Sequence, residues 1–319
     1  MEMTSRRAFL LALSGAATLR PASPKPVRGV FVILATPFTA SKALDYEDLA
    51  RQVEWQNRCG AHGIVWPQRA SEFETLTFEE RVRGFEVIAK AARGGSAAVV
   101  FGVQGSTTEE ALKYIARAEP LSPDVLIAIP PDKARSLDDY RAYYRTLAGA
   151  TKRPMFIQTA GGAPHLEMPV SMVMELASEH PHLAYVKEET EPVLARLRQL
   201  HAARPPMKGV FSGGAGKGMI LEMSLGMDGT MPGAGYTDVY VQIWDAWQAG
   251  QRDRAREIFS LLMPLINIDL LVGQGYQYMM HRRGIFKTSV SRRDRPVVIK
   301  EIAVEIDAAF ARLKPYLRT

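Results

Sequence analysis

The chain has 319 residues, 47% hydrophobic and 23% charged, the balance of an ordinary globular protein with material for a sizeable core. Such a length fits two average domains or one large α/β barrel. The net charge of +6 gathers in the N-terminal leader and around Arg282-Arg283 and Arg292-Arg293-Asp294-Arg295, with no basic stripe interleaved with aromatics, so a nucleic-acid partner is not expected.

The N-terminus reads Thr4-Ser5-Arg6-Arg7-Ala8-Phe9-Leu10, and the apolar stretch runs on to Leu19. This resembles a twin-arginine export signal and is too short for a permanent membrane-spanning helix. It implies a periplasmic or cell-envelope location, with residues 1–26 as leader. A disordered basic tail is the alternative. No small-x-small cleavage site stands out before Pro24. The single cysteine, Cys59, rules out an internal disulfide and reads as a buried structural thiol. The scattered histidines have no metal-ligand spacing, so neither a metal nor a cofactor is expected.

Past the leader, short apolar runs alternate with longer amphipathic ones. Strands are predicted at 29–37, 63–67, 97–103, 124–130, 154–159, 183–187, 209–212 and 229–233. Helices are predicted between them at 46–58, 78–92, 108–118, 137–147, 169–178, 192–203 and 216–225. Near-continuous apolar strands are buried on both faces, as in a parallel sheet covered by helices. An α/β fold with eight such units fits a closed (β/α)8 TIM barrel over 27–237 better than an open doubly wound sheet. Residues 238–319 read as a C-terminal helical appendage, with helices at 238–249, 252–270 and 297–313 and a connecting segment at 272–283.

In such a barrel the chemistry belongs at strand C-termini. Those ends carry Thr36, Gln68 to Glu72, Asp132 after Pro130-Pro131, Gln158 and Lys187. Lys187 closes the run Leu183-Ala184-Tyr185-Val186, ahead of Glu188-Glu189. Partial desolvation favours the uncharged form of an amine, and a free amine attacks a carbonyl to form a Schiff base. The plainer reading is a strand-end lysine reaching solvent between two solvated glutamates. Ser212-Gly213-Gly214-Ala215-Gly216-Lys217-Gly218 suggests a phosphate loop, but Gly218 stands where that motif needs Ser or Thr. Ser212, Gly213 and, after strand eight, Gly233 read instead as rim turns that touch the distal end of a substrate.

From about Val27 onward the constellation resembles the dihydrodipicolinate synthase and N-acetylneuraminate lyase superfamily. The residues that carry the resemblance are Ala35-Thr36-Pro37-Phe38, Leu44-Asp45, Gly63-Ile64-Val65, Glu72 with Leu76 and Glu79-Glu80-Arg81, Val186-Lys187-Glu188, Arg283-Gly284-Ile285 and Arg293-Asp294-Arg295-Pro296. The resemblance implies a lyase, an aldolase or dehydratase, acting on a 2-oxo acid or sugar-acid substrate through an imine on Lys187. It also implies a homo-oligomer, a dimer or a tetramer.

Departures from the family pattern bear on the site. Where the family carries a Gly-Thr/Ser-Thr-Gly-Glu loop for the substrate carboxylate, this chain has Gln68-Arg69-Ala70-Ser71-Glu72. Gln158 replaces the proton-shuttling tyrosine of strand five, and an amide is neither acid nor base at neutral pH. Pro131-Asp132 replaces the tyrosine after strand four.

Three outcomes are open. In a rebuilt site, Arg69 takes the substrate carboxylate and Asp132, Glu72 or Glu189 moves protons, with Thr36, Gln68 and Ser71 lining the pocket. Alternatively, water carries the protons. In the third, catalysis is lost and the exported barrel binds a ligand. A carboxylate-dependent hydrolase on the same fold is a further alternative.

Overall fold

The structure, a computed structural model, describes residues 25–272, 275–293 and 298–318. Residues 1–24 of the leader and Asp294, Arg295 and Pro296 of the closing segment lie outside them. Eight parallel strands close into a barrel in chain order: β1 (Gly29–Ile33), β2 (Gly63–Trp66), β3 (Ala98–Gly102), β4 (Val125–Ala128), β5 (Met155–Gln158), β6 (Tyr185–Glu188), β7 (Gly209–Ser212) and β8 (Gly229–Thr230). The helices that cover it are α1 (Tyr46–Cys59), α2 (Phe78–Ala91), α3 (Thr108–Ala118), α4 (Leu137–Ala150), α5 (Val170–Glu179), α6 (Val193–Ala202), α7 (Met219–Ser224) and α8 (Thr237–Gln248).

Local chemistry sets the boundaries. Asp45 caps α1 by accepting from the backbone N–H groups of Glu47 and Asp48, and Thr77 forms a reciprocal capping box with Glu80 at the start of α2. β8 is shorter than the expected 229–233 because Pro232 has no N–H to donate to the ladder. α7 starts later than the expected position 216 because Gly216 is left-handed, at φ 72. Cys59 is buried and free.

Side chains alternate between the lumen and the helical shell. Phe31, Ile33, Val65, Val100, Ile127, Phe156, Phe211 and Met231 fill the lumen. There Phe31 and Phe156 each meet Phe211 edge-on, with centroids 5.1 and 4.9 Å away. Each such ring stabilises the fold by about 1.5–3 kcal/mol through burial. The outward set, including Val30, Ile64, Phe101, Leu126, Ile157 and Val210, packs under the helices.

The tail is α9 (Arg252–Val272), α10 (Gly275–Arg282) and α11 (Lys300–Leu313). The segment expected as a plain connector thus contains a helix. Two buried carboxylates strap this tail to the barrel. Asp238 on α8 pairs with Arg283, at 2.7 Å between Oδ2 and Nη2, and the same guanidinium lies 4.6 Å from the Trp55 ring centroid. Glu72, after β2, accepts from Gln277 Nε2 and Ser291 Oγ, both at 2.7 Å, and from the Arg292 N–H at 3.0 Å. Glu72 sits at φ 57, a conformation costly for a residue other than glycine, which the packed tail sustains. Replacing Glu72 with Ala strands buried donors and is expected to cost about 2–4 kcal/mol, read as a lowered urea midpoint. An unchanged midpoint would show that another contact holds the tail.

Candidate active site

Phe156 and Tyr185 meet in the lumen, with centroids 5.7 Å apart, so two residues further on Gln158 and Lys187 also face inward. They are register partners on adjacent strands. Lys187 is 3% exposed, at the open end of the aromatic lumen. Its Nζ lies 3.1 Å from Glu189 Oε2 and 3.4 Å from Gln158 Oε1. The Gln158 amide donates to the same carboxylate oxygen at 2.8 Å, while the Gly214 N–H donates to the other at 3.0 Å. Glu189 thus couples the β5, β6 and β7 rims.

Glu188 faces the opposite way, out of the lumen. It is fully buried, pairs with Arg196 at 3.1 Å, and accepts from Thr159 Oγ1 and the Thr190 N–H. The two neighbouring glutamates therefore hold different charges: Arg196 answers Glu188, and Lys187 answers Glu189.

Arg69 reaches from the loop after β2 to the loop after β5, where Nη2 donates to Gly161 O at 3.1 Å. Its guanidinium is exposed, and among the described residues no carboxylate pairs with it. Arg69 shares a cavity of about 350 Å3 with Asp132, Gln104, Ile129 and Gly161. Asp132 is exposed on that side of the rim, apart from the Lys187 cluster. Of the three carboxylates proposed as proton carriers, Glu189 is the one in contact with Lys187 among the described contacts, and Glu72 is committed to the tail.

Thr36, Gln68 and Ser71 are completely buried. Thr36 Oγ1 donates to Ser71 O at 2.5 Å and accepts from Trp66 Nε1, while Ser71 Oγ donates to Leu34 O and accepts from the Gln68 N–H. Their hydroxyls fold the loop rather than line the mouth. Ser212 follows the inward Phe211 and so points into the shell, where its hydroxyl donates to Glu222 Oε2 at 2.5 Å. Gly213 and Gly233 leave room at the rim: a Cβ at Gly213 would meet the Glu189 carboxylate, and one at Gly233 the Tyr276 ring.

Sequence reasoning missed Glu222 and Tyr276. Glu222, buried on α7, is pushed up to about 7 by desolvation, against the opposing bond from Ser212 and the nearby Lys217. It lines a cavity of about 260 Å3 with Glu188, Glu189, Glu191, Gly213 and Lys217. Among the described residues no three His, Cys, Asp or Glu side chains converge as metal ligands.

The fold is a closed (β/α)8 barrel with Lys187 at the end of its sixth strand, and comparison with known proteins gives the family. Residues 26–302 match the dihydrodipicolinate synthetase family, and the chain belongs to it. It is similar to L-2-keto-3-deoxyarabonate dehydratase of Azospirillum brasilense, at 24% identity over 90% of this chain and 95% of that one. It is also similar to 4-hydroxy-tetrahydrodipicolinate synthase of Magnetococcus marinus, at 28% identity over 75% of this chain and 81% of that one. Among solved structures, dihydrodipicolinate synthase from Rhodopseudomonas palustris has the same fold, with TM-score 0.82, 22% identity, and coverage of 91% of this chain and 99% of that one.

The raised Glu222 carboxyl predicts a pH effect. Its folded value of about 7 exceeds the ordinary 4.5, so the folded state binds its proton more tightly, and this stabilisation is full below pH 4.5 and lost as pH rises through 7. Glu222→Gln keeps a neutral group at every pH. The variant should therefore match wild type near pH 4.5 and gain on it by roughly 1–3 kcal/mol by about pH 8, measured by urea unfolding. A pH-independent difference would contradict the assignment.

Proposed function

We propose that this chain is a Schiff-base lyase, a dehydratase of 2-oxo sugar acids, with Lys187 as the nucleophile. The observation that carries the reading is the buried, inward-facing Lys187 amine in contact with Glu189. Arg69 holds the substrate carboxylate through a planar two-point contact. Glu189 accepts the ammonium proton, and the free amine adds to the C2 ketone. The carbinolamine loses its hydroxyl as water and becomes an iminium, which draws electrons from C3. Removal of a C3 proton gives an enamine, which expels the C4 hydroxyl, and the proton taken from C3 leaves with that hydroxyl as a second water.

The neighbouring acidic cavity supports a polyhydroxyl tail. Glu188, Glu189, Glu191 and Glu222 line it together with Lys217, and their oxygens can accept hydrogen bonds from hydroxyls. The likeness to a sugar-acid dehydratase, which spans nearly the whole of both chains, points the same way. From the Arg6-Arg7 leader we further propose that the protein works in the cell envelope after twin-arginine export.

Borohydride reduction in the presence of pyruvate or a 2-oxo-3-deoxy sugar acid should attach the acid covalently to Lys187, as located by peptide mass spectrometry. Lys187→Ala should give no adduct and lose at least about a thousandfold in turnover. No adduct with any acid of a broad panel would favour the noncatalytic binding barrel. Turnover that survives in Lys187→Ala would favour a carboxylate-dependent hydrolase. Arg69→Ala should raise KM about 10–100-fold with a smaller change in kcat; an unchanged KM would remove Arg69 from the carboxylate site.

A further inference from the structure

The imine reaction needs a group that both gives and takes a proton near C2 and C3, and the residues nearest Lys187 do not provide one. The Gln158 amide does neither at neutral pH. Glu189 takes the ammonium proton and is held by Gln158 and the Gly214 N–H, so it is not free to act again as the base at C3. We propose that Tyr276, from the tail helix α10, is the phenolic proton carrier of this site, an inference that rests on the imine reading above.

Two bare strand ends carry the argument. Gly229, Met231 and Gly233 share the lumen side at β8, and a Cβ placed on Gly233 would fall 2.0 Å from Tyr276 Cε1 and 2.5 Å from Cζ. The phenol end of Tyr276 therefore occupies the space into which a lumen-facing side chain at 233 would project. On the adjacent β7, a Cβ on Gly213 would fall 2.0 Å from Glu189 Oε1. Register sets Gly213 beside Met231, two residues before Gly233, so with strands about 4.8 Å apart and about 3.3 Å per residue the spaces taken by the Tyr276 ring and by the Glu189 carboxylate are roughly 8 Å apart along the same rim.

The tail holds the ring there. Tyr276 packs against the cluster of Ala35, Ala234, Met280, Ile285 and Phe286. The next residue, Gln277, is 1% exposed and donates to Glu72 at 2.7 Å. Glu72 thus acts as a positioning residue for the phenol.

The proton cycle closes on itself. Tyr276 gives its hydroxyl proton to the departing carbinolamine oxygen, which leaves as water with the C–O electron pair while the nitrogen lone pair forms the C=N bond. The phenolate then takes a proton from C3, and the C–H pair becomes the C2=C3 bond of the enamine as the C=N electrons return to nitrogen. The phenol is restored with no outside acid or base.

The test uses the whole protein in deuterated water, with pyruvate and a 2-oxo-3-deoxy sugar acid as probes. Proton NMR follows deuterium entering C3, and borohydride reduction reports the imine. In Tyr276→Phe, C3 exchange should fall about 10²–10⁴-fold while reduction still marks Lys187 on long incubation. Gly233→Ala, whose new methyl must displace the ring, should slow exchange as well. Wild-type exchange in Tyr276→Phe, with the adduct present in both proteins, overturns the role of Tyr276 and leaves the imine reading intact. An absent adduct in wild type overturns the imine reading and this inference with it.

Discussion

The withdrawal of one ammonium from water governs this structure. Lys187 projects into a lumen packed from below by Phe31, Phe156 and Phe211, and its charge is met there by the Glu189 carboxylate and an amide oxygen. A cation in such a place is costly unless it is paired, and the Glu189 carboxylate in direct contact supplies that pairing. The arrangement depends on closure of the barrel, because the lumen alternation that buries Phe156 and Tyr185 aims Gln158 and Lys187 at a common point.

Much of this could be read along the chain. The strand and helix rhythm survives in the structure because parallel strands buried on both faces leave long apolar runs, and capping residues such as Asp45 and Thr77 mark where helices start. Lys187 could be found for the same reason, at the end of such a run. Ser212 was misjudged although the signal was present, since alternation from the buried Phe211 already turns it outward. Glu72, Arg69 and Tyr276 needed coordinates. The partners of Glu72 lie more than 200 residues away in the tail, and no local pattern encodes a contact of that range.

The rewritten loop after β2 shows how one segment divides its tasks. Gln68 and Ser71 turn inward to shape the backbone, Glu72 reaches down to the tail, and Arg69 alone extends over the rim. Where the family pattern has small hydroxyl residues, this chain has a long cation. Recognition of an acid group would then rest on charge and a planar fork in place of short hydroxyls. The same substitution ties the loops after β2 and β5 together, across the barrel from one another.

The bond from Arg69 to Gly161 O also makes two loops answer to one side chain. An anion that drew the guanidinium away from that carbonyl would release the loop after β5 from the loop after β2, so the two rims would respond to it together.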